Sequence, residues 1–288
     1  MFLKIKSPLI GILLVASLFL FSFSCTQTQN SEAKKSTYDK ILETKTIRVG
    51  YITYPPSFIK DPNNGTLSGI MHDVLVEAGK NLELKIEFTE EVGWGTMVEA
   101  VQTGKVDMVC TGLWPSSTRG KFADFTAPIY YSPIRAYVKK GNKKFDGNIA
   151  IANSPDVNIA TVDGEMTSII AKFDFQKAKT LALPQNSDVS QVLLNVASGK
   201  ADITFVESVV ANQYLANNPN SIQAVANVAP QRVYPNVMMV PKGDIKFESM
   251  LNVAFEELAN SGTTDKIITK YEKYPNSFLR KQLPYIVK

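Results

Sequence analysis

Two stretches of this sequence, VQTGKVDMVCT at 101–111 and VASGKADITFV at 196–206, share the pattern V-x-[ST]-G-K-x-D followed by an apolar run. Each reads as a helix end, a closing glycine, a turn bearing lysine and aspartate, and a buried strand. A unit used twice in this way points to two lobes of similar build. The elements around it agree. TIRVGYI (46–52), LELKIEF (82–88), NIATV (158–162) and KTLAL (179–183) are predicted strands, whereas GIMHDVLVEAGKNL (69–82), TMVEAVQTG (96–104) and DVSQVLLNVASG (188–199) are predicted helices. Strands alternating with helices give an α/β fold with a mostly parallel sheet in each lobe.

The chain then returns. NVMMVPKGD (236–244) matches YVKKGN (137–142) in placing a β-rich run before a charged glycine turn, and two helices, 247–262 and 263–274, come after it. Taking 136–141 and 237–243 as two crossing segments gives lobe 1 from 38–138 plus 240–288, with lobe 2 (139–239) inserted. The two crossovers form a hinge, with a cleft between the lobes. The tail NSFLRKQLPYIVK is expected to pack on lobe 1.

The first residues set the compartment. Lys4 and Lys6 precede an apolar run from Pro8 to Phe23, shorter than a comfortable membrane span and laid out as a secretory signal. Ser24-Cys25 ends it as a bacterial lipoprotein signal does, so residues 1–24 are read as signal and Cys25 as the lipidation site. The alternative is an ordinary signal cut near Ser24. Residues 25–37 form a polar, flexible tether. With 31 basic and 27 acidic residues, and both lysines of the signal removed, the chain offers no nucleic-acid-binding surface. Cys110 is then the one cysteine left, so neither a disulfide nor a cysteine-based metal site is expected.

In open α/β sheets, ligands bind beyond the carboxyl ends of the strands. After the lobe 1 strand come Thr111, Gly112 and Trp114, then Arg119; after the lobe 2 strand comes Glu207. A cation and an anion facing one gap suit a zwitterion, since guanidinium grips carboxylate and carboxylate grips ammonium. Gly112 lets its N–H approach a ligand oxygen. Ser116, Ser117 and Thr118 either donate to the ligand or cap the next turn. Tyr54, Trp94 and Trp114 all stand at strand ends, as a stacking wall would.

These residues resemble the extracytoplasmic solute-binding proteins of amino-acid ABC importers, from Ile47 to about Tyr274. VGYITYPPSF, LSGIMHDVLVEAG, GKVDMVCTGLWPSSTRGKFADFTAPIYYS, ATVDGEMTS and SGKADITFVES carry the resemblance. It implies the two-lobed periplasmic-binding-protein fold with a two-strand hinge, a monomer, an ABC permease as partner, and a site at the outer face of a membrane or in the periplasm. It also implies that Arg119 holds the ligand carboxylate with help at Gly112 and Trp114, and that Tyr54 and Trp94 line the ligand. On the lobe 2 side it implies that the turn at Glu165, Met166 and Thr167 offers a helix N-terminus and that Glu207 holds the ammonium. The sequence departs from the pattern in having Trp114 where Ser or Thr is usual, Met166 for Thr, Glu207 for Asp, and one residue fewer before Tyr54. Aromatic walls plus Glu165 and Glu207 suggest a ligand with extra positive charge: a basic amino acid, a betaine or another amine.

Two rivals share the scaffold: an enzyme of the cyclohexadienyl dehydratase type and a ligand-sensing receptor subunit. The sequence holds no nucleophile elbow, His-rich metal site or phosphate loop, and its sole histidine, His72, reads as a helix-packing residue. No catalytic residue, metal or cofactor is therefore assigned.

Overall fold

The computed structural model describes residues 35–184 and 187–281. The predicted signal, Cys25 and nearly all of the tether lie outside them. The first part of the chain forms α1 (Thr37–Thr44), β1 (Thr46–Tyr51), β2 (Ile59–Lys60), β3 (Leu67–Ser68), α2 (Ile70–Asn81) and β4 (Lys85–Glu91). It continues through α3 (Met97–Gln102), β5 (Met108–Leu113), α4 (Ser117–Gly120), β6 (Ala123–Phe125) and β7 (Tyr130–Lys139). The middle part forms β8 (Asn158–Val162), α5 (Met166–Asp174), β9 (Lys179–Leu183), α6 (Ser190–Ala197), β10 (Ile203–Glu207), α7 (Ser208–Asn217) and β11 (Ile222–Ala224). The return is β12 (Arg232–Pro241), α8 (Ile245–Asn260), α9 (Thr263–Tyr271) and β13 (Leu279–Arg280).

The main strand order is β4-β1-β5-β12-β7-β10-β8-β9. β4, β1 and β5 run parallel, as do β10, β8 and β9, and the antiparallel pair β12–β7 joins the two sets. Both faces of each set are covered. Met108 and Cys110 of β5 enter one core with α2 and α8, while Val109 and Leu113 enter a second with α3. In the other half, Phe205 packs toward α5 and Val206 toward α6. Burial on both faces is what an α/β sheet requires, and it explains the continuous apolar runs of β5 and β10.

The repeat is the same piece of structure twice. Gly104 and Gly199 both take positive φ, at 72° and 80°, and close α3 and α6. The Asp107 N–H donates to Arg48 O at 2.8 Å, and the Asp107 carboxylate accepts from the Arg48 N–H at 2.8 Å. The Asp202 N–H donates likewise to Asn158 O at 2.9 Å, and its carboxylate accepts from the Asn158 N–H at 2.8 Å. Each aspartate thus clips the start of its strand to the neighbouring one, β1 or β8. In the first copy the Arg48 guanidinium adds a 2.6 Å ion pair to Asp107.

The structure differs from the sequence reading in three places. β5 runs three residues further than expected, to Leu113, so Thr111 and Gly112 are buried strand residues. β4 starts at Lys85, because Glu83 takes φ 54°, a left-handed conformation that interrupts an extended run. The strands cross earlier than 136–141 and 237–243. β7 pairs with β12 over 130–134 against 232–236, and beyond these residues β7 pairs with β10 and β12 with β5.

Replacing either aspartate of the repeat by alanine leaves a strand N–H without its acceptor, at about 1–3 kcal/mol. Denaturant unfolding should show both variants destabilised, Asp107→Ala the more because it also removes the ion pair with Arg48. Unchanged midpoints would refute the clip.

Candidate ligand-binding site

One face of the hinge collects the polar groups. Strand partners share a face, so Tyr130, Ser132, Tyr234 and Asn236 project together, with Glu207 opposite Ile134 on the same side. Asn236 Nδ2 donates to Ser132 Oγ at 2.9 Å, and both residues are buried.

Tyr54 reaches this face from the loop after β1. Reciprocal backbone bonds between Tyr54 and Phe58, 2.8 and 3.0 Å long, hold that loop. The Tyr54 hydroxyl donates to Glu207 Oε2 at 2.8 Å. Glu207 is only 6% exposed, and burial pushes its carboxyl above the ordinary range while the Tyr54 and Ser132 hydroxyls pull the other way. Burial and the facing carboxyl lift the Tyr54 phenol far above its usual value, so it remains a donor.

Arg119 stands at the other end of a chain of contacts. Its guanidinium lies 6.0 Å from the Trp94 ring centre, and Trp94 meets Tyr54 edge to face at 5.9 Å. The sequence-predicted residues Arg119, Trp94, Tyr54 and Glu207 are therefore linked in series. Trp94 is 43% exposed, a wall open on one side. Arg119 donates to Trp114 O at 3.3 Å and pairs with no carboxylate among the described residues. Partial burial without a counter-charge lowers its pKa. Ser116 caps α4 by accepting from the Arg119 N–H at 3.4 Å, so capping is the role its hydroxyl takes.

Trp114 stacks on Tyr234 at 4.4 Å and 12°, and both pack with Met166 on the core under α5. The indole N–H of Trp114 is buried and has no partner among the described residues. Tyr234 is singled out in sequence by nothing but its neighbourhood; its place opposite Ser132 depends on the hinge register.

The remaining predicted residues divide by role. The Thr111 hydroxyl donates to Ile52 O at 3.0 Å, and Thr167 Oγ1 accepts from the Val162 N–H at 2.8 Å, so both fasten backbone. Gly112 is required by packing: a Cβ there would come within 2.4 Å of Ser57 Oγ and 3.0 Å of Asn236 Oδ1. Glu165 starts α5 without a side-chain capping bond, and its exposed carboxylate acts on the Tyr54 phenol. Among the described residues no cluster of His, Cys, Asp and Glu could hold a metal ion, and no helix is long and apolar enough to cross a membrane.

The model of the bacterial extracellular solute-binding proteins, family 3, matches residues 47–274. A probable histidine-binding protein of Neisseria gonorrhoeae is 26% identical over 73% of this chain and 76% of its own. The L-cystine-binding protein TcyA of Bacillus subtilis is 24% identical over 92% of this chain and 97% of its own. Among solved structures, the ancestral amino acid-binding protein AncCDT-1, described as a precursor of cyclohexadienyl dehydratase, is 30% identical with a TM-score of 0.63, covering 83% of this chain and all of that one.

The raised Glu207 pKa fixes a sign. The folded protein holds this proton more tightly than the unfolded chain, so the stability it contributes is complete below the ordinary value of 4.5 and is lost as pH rises through the folded value. The melting temperature of Glu207→Gln relative to the parent should therefore climb as pH rises from 4.5 to 7. A difference that stays flat or falls would contradict the buried carboxyl.

Proposed function

This chain belongs to the bacterial extracellular solute-binding proteins of family 3, a two-lobed α/β fold, and on that premise we propose that it captures a small cationic amino acid or related amine between its lobes for an ABC import permease. The observation that carries this reading is the contact series from Arg119 through Trp94 and Tyr54 to Glu207. It supports a ligand that presents a carboxylate at one end and an ammonium at the other. Arg119, half-buried and without a counter-charge, takes the carboxylate. Glu207 takes the ammonium, whose charge favours the ionised carboxylate that burial disfavours. Trp94 and Tyr54 line the stem between them, and Glu165 adds a second acid on the lobe 2 side.

Lobe 1 is proposed as residues 38–133 with 237–281, and lobe 2 as 134–236, following the strand pairing. Ligand meets Arg119 and the aromatics first, and lobe 2 then closes on it about the β7–β12 pair. Cys25 is proposed as the acylated first residue, tethering a monomer to the outer face of a membrane.

A second reading rests on Glu207 as well. A carboxyl whose burial favours the protonated form can act as a general acid, and a structural neighbour is described as a precursor of cyclohexadienyl dehydratase. Product formation from a cyclohexadienyl substrate, lost in Glu207→Gln, would favour it.

The test is thermal. The protein starting after Cys25 should melt several degrees higher with a basic amino acid at one hundred times its dissociation constant, a stabilisation of about 2.7 kcal/mol. Arg119→Ala should keep the fold and weaken binding by roughly 2–5 kcal/mol in calorimetry. Unchanged affinity in that variant removes the clamp from the proposal.

A further inference from the structure

The β7–β12 pair has a third strand at its base. Tyr130 and Tyr131 of β7 lie opposite Asn236 and Pro235 of β12, and also opposite Arg280 and Leu279 of β13. Ile134 of β7 likewise has two partners, Arg232 of β12 and Glu207 of β10. β13 and β10 therefore share the edge of β7 that β12 leaves free, and Glu207 ends its strand three residues along β7 from the partner of Leu279. Arg280 anchors this added strand to α9 and the turn after it. Its Nε donates to Asp265 Oδ1 at 2.9 Å and its Nη1 to Glu272 Oε2 at 2.6 Å. Glu272 Oε1 accepts from the Phe278 N–H at 3.0 Å, so one carboxylate holds both ends of the turn.

Two contacts lead from this segment to the surroundings of Glu207. Phe278, buried, meets the Tyr130 ring edge to face at 5.1 Å. Burial raises the Tyr130 phenol, the Ser57 hydroxyl opposes that, and the Glu207 carboxyl adds to it, so Tyr130 stands within the field of Glu207. Ser277, also buried, accepts from Asn212 Nδ2 at 3.3 Å. Asn212 belongs to α7, which begins at the residue after Glu207, and Val209 of the same helix packs on the core that holds Tyr130 and Phe278.

We propose that Ser277 and Phe278 are positioning residues for Glu207, which the third strand holds from behind through Tyr130 and through the first turns of α7. The inference rests on the reading of Glu207 as the partner of the ligand's ammonium. A group that must meet Tyr54 and a ligand in one geometry needs neighbours that are themselves locked. Phe278 locks the ring behind the carboxyl, Ser277 locks the helix that continues from it, and Arg280 fixes both to α9.

The experiment loosens each support in the full chain, by Phe278→Ala and by Asn212→Ala, and follows Glu207 without any ligand. Its side-chain carboxyl carbon is observed by NMR after ¹³C labelling of glutamate and assigned by its loss in Glu207→Gln. Burial is the main cause that raises this carboxyl, so water let in by either variant should make it titrate at a lower pH than in the parent. Phe278→Leu, which keeps most of the bulk, should stay near the parent. The other titratable groups around it are unaltered in all three variants: Tyr54 and Tyr130, with Glu165 and Cys110 beyond them. L-arginine binding, measured by calorimetry at pH 7, should weaken about 2- to 30-fold in Asn212→Ala. A Glu207 titration that stays put in folded Phe278→Ala and Asn212→Ala would overturn the proposal. A parent chain whose titration responds as expected but which does not bind L-arginine would count against the ligand reading, and not against the support of Glu207.

Discussion

The antiparallel pairing of β7 with β12 is the constraint on which the rest depends. These strands carry the chain between lobes, and their register decides which residues face the cleft. Side chains alternate along a strand, so a slip of one residue would turn Ser132, Tyr234 and Asn236 to the far side. The Asn236–Ser132 hydrogen bond, made between two buried residues, resists such a slip because breaking it forfeits a bond that no water replaces. Gly112 closes the same spot from β5, where no larger residue fits between Ser57 and Asn236. Register thus sets where Glu207 stands as well, since β10 is aligned against the continuation of β7.

The two charged ends of the site are held in complementary discomfort. Burial works against the guanidinium of Arg119 and against the ionised form of Glu207, the one half-buried and the other fully so. A neutral ligand of the same shape would relieve neither. A zwitterion relieves both, because each of its charges supplies what burial took from the protein group. Trp94 contributes from between them, with its ring near the Arg119 cation and its edge toward Tyr54. This is an electrostatic preference built from two partial desolvations and a shared aromatic wall.

How much of this was legible in sequence depended on how local the signal was. The V-x-[ST]-G-K-x-D repeat was readable because its parts act within a few residues, and the structure gives both aspartates the same hydrogen bonds. The β7–β12 pairing was hard to read because YYSPIR and RVYPNV contain prolines, which ordinarily argue against an inner strand. Pro133 sits opposite Val233 and Pro235 opposite Tyr131, so both prolines lie within the paired stretch. Thr111 read as a loop residue since nothing in Cys-Thr-Gly-Leu marks where a buried strand stops. The Trp114–Tyr234 stack joins residues far apart in sequence, and no periodicity reports such a contact.

The repeat also shows how one scaffold yields opposite charges at its two carboxyl ends. In the first copy the strand runs on to Leu113 and pairs with β12, so the cation Arg119 comes later, from the short helix α4. In the second the strand stops at Glu207 and α7 begins at the next residue. A carboxylate at a helix N-terminus is favoured by the helix dipole, by about 0.3–1 kcal/mol and at most ~2. Removing that carboxylate from water costs several kcal/mol, so desolvation should win, and the pKa of Glu207 is raised accordingly. An aspartate here would be one bond shorter and less able to meet the Tyr54 hydroxyl at 2.8 Å. The longer acid reaches the Tyr54 phenol, which comes from the loop after β1, and accepts from the Ser132 hydroxyl as well. The helix terminus positions the group, burial sets its proton, and Tyr54 ties its state to the closeness of the two lobes.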